Sequence, residues 1–95
     1  MKVKFKRERK GGVQTAKVRI NGADPNFERD MGTLELDESK EHTVSWLLIG
    51  PTGAALKVTM TASGSEQVLV DAIIKHEHGS QLADSQTFRV KGATS

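Results

Sequence analysis

The sequence has no cysteine and no tyrosine, and its unbroken apolar runs are short. Without cysteine, the chain forms no disulfide and carries out no thiol chemistry. Its longest apolar run, Trp46 to Ile49, falls far short of the roughly 20 residues that a membrane-spanning helix needs, and Gly50 and Pro51 follow it at once. These absences exclude a disulfide scaffold, a thiol-dependent enzyme and a transmembrane helix.

The length of the chain fits one small soluble domain. We expect residues 1–95 to form a single unit with one hydrophobic core, of which residues 91–95 are a frayed tail. No apolar segment follows Met1, so no signal peptide is expected and a cytoplasmic location is favoured. A periplasmic or extracellular location stays open if the chain begins after a removed signal.

Alternation of apolar and polar residues dominates over helical periodicity. Seven short stretches show it, separated by Gly, Pro, Asn and Ser clusters, and strands with such spacing are typical of sandwiches and barrels. The apolar members are Val3 and Phe5; Ala16, Val18 and Ile20; Leu34 and Leu36; Val44, Trp46 and Leu48; Leu56, Val58 and Met60; Val68, Val70, Ala72 and Ile74; Phe88 and Val90. The sequence therefore predicts an all-β fold, a small antiparallel β-sandwich of six to eight strands.

The charges are unevenly distributed along the chain. Residues 1–20 carry eight Lys or Arg and one Glu, whereas residues 21–45 carry seven acids and two bases. If Gly11-Gly12 is a two-residue hairpin turn, Val3 faces Ile20, and the other face sets Lys4 against Arg19 and Lys6 against Lys17. Such like-charge pairs are destabilising. Either Glu35 and Asp37 on a nearby strand neutralise them, or an anionic partner does; the candidate anion-binding residues are Lys2, Lys4, Lys6, Lys17 and Arg19.

The second predicted hairpin spans residues 42–62. Gly50-Pro51-Thr52-Gly53 has the residues of a tight turn, and Trp46 is the expected main aromatic of the core. The strand around Trp46 is apolar on both faces, which is typical of a central or covered strand. Leu47 and Ile49 on its second face are therefore candidate interface residues. Phe27, in a polar segment, is a third candidate, with the alternative that it plugs the edge of the sandwich.

The segments Leu34-Glu-Leu36, His42-Thr-Val-Ser-Trp46 and Gly50-Pro-Thr-Gly53 together resemble the middle strands of bacterial immunoglobulin-like β-sandwich modules. The resemblance covers roughly residues 34–60. It implies an immunoglobulin-like sandwich and, by analogy, a binding or structural role. The chain lacks the paired cysteines and the tyrosine corner of antibody-type domains.

Motifs for catalysis and metal binding are weak. On a strand, His76 and His78 would point to the same face, and with His42 or Asp84 they could hold a metal ion; a solvated pair at a strand end is the favoured reading, so no metal site is expected. Residues 50–57 lack the Lys-Ser/Thr and the following helix of a phosphate loop. No acid–base pair stands out, and we expect neither an enzyme nor a cofactor.

The sequence is best interpreted as a non-catalytic module for protein binding or assembly, self-association included. The alternative is an anion-binding module that uses the basic N-terminal residues against nucleic acid or an acidic protein. Nucleic acid is the less favoured partner because exposed aromatic residues for base stacking are scarce. A metal-linked enzyme through His76 and His78 is the third reading. No membrane insertion and no small-molecule substrate are expected.

Overall fold

The computed structural model describes residues 2–25, 27–37, 39–62 and 64–90. They form seven strands and one short 3₁₀ helix, which confirms the all-β prediction. The strands are β1 (Lys2–Lys10), β2 (Thr15–Ile20), β3 (Met31–Glu35), β4 (Glu41–Ile49), β5 (Ala55–Ala62), β6 (Ser65–Ile73) and β7 (Gln81–Arg89); the 3₁₀ helix is His76–His78.

Two antiparallel sheets make up the sandwich. The four-stranded sheet has the order β3-β1-β5-β6, and the three-stranded sheet has the order β2-β4-β7. Alternate residues of each strand point to the inner face, which looks toward the other sheet, or to the outer face. The inner faces meet in one core built around residues such as Phe5, Ile20, Leu48 and Leu56.

The first predicted hairpin is wrong. β1 pairs with β3 and β5, and β2 pairs with β4, so the chain crosses from one sheet to the other between β1 and β2. Gly11 and Gly12 begin this crossing, and both have a positive φ, 79° and 82°. Val3 and Ile20 are both buried in the core, as the alternation requires. The pattern is satisfied equally by strands that pair and by strands that stack across a core.

The second predicted hairpin is wrong for the same reason. β4 lies in the three-stranded sheet and β5 in the four-stranded sheet, so residues 50–54 form another crossing. β4 is nevertheless the central strand of its sheet, as its two apolar faces predict. Trp46 packs against the core but is only half-buried, and its buried Nε1 has no hydrogen-bond partner among the described residues. Phe5, which is fully buried, is the main aromatic of the core.

Strand order separates this sandwich from the constant-type immunoglobulin domain. In that domain the first two strands are neighbours in one sheet, whereas here β1 and β2 lie in opposite sheets. The shared feature is a Trp on a strand of the smaller sheet, here Trp46 on β4. The immunoglobulin-like relationship stays a prediction, and the two-sheet antiparallel architecture is what the structure shows.

Candidate functional site

The candidate anion-binding residues do not form one surface. Lys2, Lys4 and Lys6 lie on the outer face of the four-stranded sheet. Lys17 and Arg19 lie on the outer face of the three-stranded sheet, on the opposite side of the molecule. The expected pairs of Lys4 with Arg19 and Lys6 with Lys17 are therefore wrong, because β1 and β2 are not paired.

Much of the charge on the outer face of β1 is neutralised within the chain. Glu35 is directly opposite Lys2 in the ladder between β1 and β3. Lys6 Nζ lies 3.5 Å from a carboxylate oxygen of Glu8. This outer face is therefore mixed in charge and is a poor site for a polyanion.

Asp37 does not join this neutralisation. β3 ends at Glu35, and the Asp37 carboxylate instead accepts hydrogen bonds from the hydroxyl (2.6 Å) and the amide (2.9 Å) of Ser39. These bonds hold the pKa of Asp37 below its usual range. The prediction that Asp37 interleaves with the basic strand is wrong, whereas Glu35 does stand opposite a lysine.

Arg7 connects the two sheets beside the free edge of β2. Its side chain lies on the inner face of β1, as those of Val3 and Phe5 do. Its Nη1 donates to the carbonyl of Ala16 on β2 at 2.9 Å. Its Nε donates to Asp30 at 3.0 Å, and its guanidinium lies 4.6 Å from the ring centre of Phe27. One planar side chain thus satisfies an edge carbonyl, a carboxylate and an aromatic face at once.

These contacts lower the pKa of the Asp30 carboxylate. Partial burial raises its pKa, but the hydrogen bond from Arg7 and the charge of Arg9, whose Nη2 lies 3.1 Å away, lower it more. The net result is a pKa below the usual range of an aspartate, so the group is ionised at neutral pH. The alternation of β1 places the Arg7 side chain on the inner face, which indicates that it needs a buried partner, but the sequence does not predict this cluster.

The free edge of β2 is closed at both ends. Arg7 occupies the carbonyl of Ala16, and Ile20 exchanges two backbone hydrogen bonds with Ala23 across an Asn21-Gly22 turn. Because hydrogen-bonding direction alternates along an antiparallel strand, the amide and carbonyl of Val18 also point away from β4. They have no hydrogen-bond partner among the described residues. A trough of about 640 Å³ runs beside them; its walls include Arg7, Lys17, Arg19, Asp24, Phe27 and Glu28.

The free edge of β7 is different. This strand is nine residues long and pairs with β4 along its whole length, while no described strand pairs with its other side. Just before β7, the carbonyl of Ser80 accepts from the amide of Gly50, the residue after β4. Because hydrogen-bonding direction alternates along an antiparallel strand, the even-numbered residues of β7 bond to β4. The odd-numbered residues therefore direct their amides and carbonyls to the free edge. At its middle, the amide of Ser85 donates to the Asp84 carboxylate at 2.8 Å.

Most of β7 was not predicted from the sequence, because its alternation of apolar and polar residues is broken. Asp84 and Gln86 occupy inner-face positions, opposite Trp46 and Val44 of β4, and yet both are exposed. The four-stranded sheet does not cover this part of the strand. Only Phe88 and Val90, at its end, carried the signal of a buried strand.

The candidate interface residues are partly covered. Leu47 and Ile49 lie on the outer face of β4 between β2 and β7, and both are half-buried. Phe27 is half-buried under Arg7 and packs against the core, so it lies at the edge of the sandwich. The large apolar side chains that the structure does expose are on the outer face of the other sheet: Met31, Val68 and Ile73.

His76 and His78 lie on the 3₁₀ helix, not on a strand, because β6 ends at Ile73. The Nδ1 of His78 accepts a hydrogen bond from the amide of Lys75 at 3.0 Å. Among the described residues, no group of three His, Cys, Asp or Glu side chains is placed to hold a metal ion. The strand geometry that made these two histidines a candidate pair is therefore wrong.

His42, considered as a third ligand, is buried and fully used inside the chain. Asn21 Oδ1 accepts from the Thr43 amide, so the Asn21 Nδ2 faces and donates to His42 Nδ1 at 2.9 Å. The His42 Nε2 consequently carries the proton and donates to the Asp37 carbonyl at 2.7 Å. Both ring nitrogens of His42 hold the chain crossings in place and neither is available to a ligand.

Comparison of the chain with protein-family models, curated proteins and solved structures gave no match. No helix among the described residues has the length and apolar character to span a membrane.

Proposed function

We propose that this protein is a non-catalytic assembly module that self-associates through the free edge of β7. The observation that carries the proposal is a nine-residue edge strand whose odd-numbered backbone groups point to a free edge with no described segment beside it. Of these groups, the Ser85 amide is bonded to the neighbouring Asp84 carboxylate. Such an edge is a template for pairing with another strand. Two copies would form one continuous six-stranded sheet, β2-β4-β7 followed by β7-β4-β2 of the second copy.

The other three edge strands carry features that discourage pairing. β3 is only five residues long, and β6 has an irregularity in its register with β5. β2 presents Lys17 and Arg19 and is closed at both ends. Short edges, bulges and charged side chains are the usual protections of sheet edges. β7 has only one acid and one terminal base, and no proline or lysine, so it is the least protected edge.

The sequence of β7 suits pairing with itself in one register. In an antiparallel dimer centred on Ser85, Ala83 faces Thr87 of the second copy and Asp84 faces Gln86 of the second copy. No like charges meet, and about ten backbone hydrogen bonds form. The Asp84 carboxylate releases the backbone amide of Ser85 and accepts instead from the side-chain amide of Gln86 in the second copy. A shift that centres the dimer on Asp84 would set two carboxylates directly opposite each other, which is destabilising.

Packing through the outer face of β4 is a second way to assemble. Leu47 and Ile49 would then form the contact, as their apolar character predicts. Both are already half-buried between β2 and β7, so this face offers little additional apolar area. The anion-binding alternative is less well supported, since the basic residues lie on opposite sides of the molecule.

Sedimentation velocity over a wide range of protein concentration tests the proposal. The wild-type protein is expected to form a dimer whose fraction rises with concentration and is insensitive to salt. Ser85→Lys sets two lysines face to face at the centre of the dimer and should leave a folded monomer. Ser65→Lys, the same change on the edge strand β6, should dimerise normally. A wild-type monomer at every concentration, or a dimer that Leu47→Lys breaks and Ser85→Lys does not, contradicts edge pairing.

A further inference from the structure

The trough beside β2 lies apart from the edge of β7, since β2 and β7 are the opposite edge strands of the three-stranded sheet. Its floor is the backbone edge of Ala16 and Val18, one wall carries Lys17 and Arg19, and the opposite wall carries Arg7 and Phe27. We infer that this trough binds a short extended peptide segment in which two acidic residues flank an apolar one, as an added strand at the edge of β2.

Backbone geometry sets the length of the occupant. The carbonyl of Ala16 is taken by Arg7, and both backbone groups of Ile20 are taken by Ala23. Val18 keeps its amide and its carbonyl open between these two closures. One residue of an antiparallel peptide therefore exchanges two hydrogen bonds with Val18, and its two neighbours complete the contact.

Side-chain phase sets the chemistry of those residues. Val18 points inward, so the peptide residue opposite it also points inward, toward Phe27 and the edge of the core, and is apolar. The residues on either side point outward and stand opposite Lys17 and Arg19, whose charges favour Asp or Glu there. The recognised core is thus an acidic–apolar–acidic triplet, such as Glu-Val-Glu.

The same charges exclude a second copy of this chain from the trough. Antiparallel pairing of β2 with itself around Val18 would place Lys17 opposite Arg19 of the second copy, two like charges in direct contact. A nucleic acid is disfavoured because Asp24 and Glu28 line the trough beside the cationic residues. A peptide meets these acids only with its inward face, whereas a phosphate chain presents negative charge on every side.

An NMR titration of the ¹⁵N-labelled Ser85→Lys protein with a blocked peptide of core Glu-Val-Glu tests the inference apart from β7. Shifts centred on the Val18 amide are expected, and the peptide with N-methylated valine should bind at least about fivefold more weakly, since it loses one edge hydrogen bond. Arg19→Glu should weaken binding to a similar extent. Lys10→Glu, the same charge change on the outer face of the other sheet, should leave it unchanged.

Three results overturn the inference. The first is an absence of shifts at Val18 at the highest peptide concentration. The second is equal affinity for the N-methylated peptide, which would show that only charge is read. The third is a heparin oligosaccharide that binds the trough more tightly than the peptide, since the site would then be a polyanion site. None of these results bears on the pairing of β7, because the titrated protein carries the substitution that prevents it.

Discussion

Arg7 on β1 donates a hydrogen bond to the carbonyl of Ala16 on β2, 2.9 Å away, and so joins the two sheets beside the free edge of β2. The same side chain holds Asp30 and covers Phe27. Arg7→Ala is expected to lower the free energy of unfolding by about 2–4 kcal/mol, because it removes these contacts and leaves the half-buried Asp30 without its main partner. Urea denaturation measures the loss.

Arg7→Lys tests whether the positive charge alone, or the planar guanidinium group, stabilises this contact. Lysine keeps the cation but cannot donate to the Ala16 carbonyl and to Asp30 at fixed angles. We expect about half of the loss that Arg7→Ala causes. A Lys variant as stable as wild type would show that charge alone closes this edge, and the geometric account of Arg7 would be wrong.

The ion pair of Asp30 predicts a pH dependence with a definite sign. Its folded pKa lies below the value of about 3.9 found in unfolded chains. A carboxyl with a lowered pKa stabilises the fold above the unfolded value, and this contribution is lost as the pH falls through the folded value. The stability gap between wild type and Asp30→Asn should therefore be full at neutral pH and shrink in acid. Asp71 is exposed on the outer face of the four-stranded sheet, and Asp71→Asn controls for the loss of one negative charge.

Asn21 links the turn after β2 to the buried His42. Its φ of 53° is left-handed, and its side chain accepts from Thr43 and donates to His42. Asn21→Gly keeps the backbone conformation and loses both side-chain bonds, so we expect a loss of about 1–2 kcal/mol. Asn21→Ala should cost about 1 kcal/mol more, because alanine resists a positive φ. Equal stabilities of the two variants in urea would contradict the left-handed assignment.

Two glycines with the same left-handed backbone form a matched test of the first crossing between sheets. A Cβ at Gly11 would lie 2.5 Å from the carbonyl oxygen of Gly53, whereas a Cβ at Gly22 would meet nothing within 4 Å. Gly22→Ala should cost about 1 kcal/mol for its positive φ alone. Gly11→Ala should cost at least about 2 kcal/mol, since the backbone must also move. Thermal unfolding should show a larger loss of stability for Gly11→Ala than for Gly22→Ala. A larger loss for Gly22→Ala would contradict the close approach of Gly11 to Gly53.

The positions of the strands were predictable from the sequence, and their pairing was not. Alternation placed Val3, Val18 and Leu56 on inner faces correctly, because burial acts on each strand separately. It cannot tell a hairpin from a crossing between sheets, since the same residues reach the core in both. Arg7 and Asp30 are 23 positions apart in the sequence, so no local sequence pattern predicts their contact.

The candidate site was the least predictable part of the molecule. Edge pairing depends on backbone groups, which every residue has, and on the absence of a neighbouring strand, which only the topology reveals. β7 was hard to predict because Asp84 and Gln86 occupy inner-face positions, where apolar residues are expected. His76 and His78 were misplaced because the strand ends earlier than its apolar residues suggested.

Mixing two charge variants tests the proposed assembly most directly. Only in the register centred on Ser85 does this residue face its own copy, so Ser85→Lys and Ser85→Glu should each be monomeric. Their equimolar mixture should form a heterodimer, because a lysine then faces a glutamate across the central pair. Sedimentation at low salt measures all three samples. Monomers alone and a dimer in the mixture would support pairing through β7; three identical sedimentation profiles would contradict it.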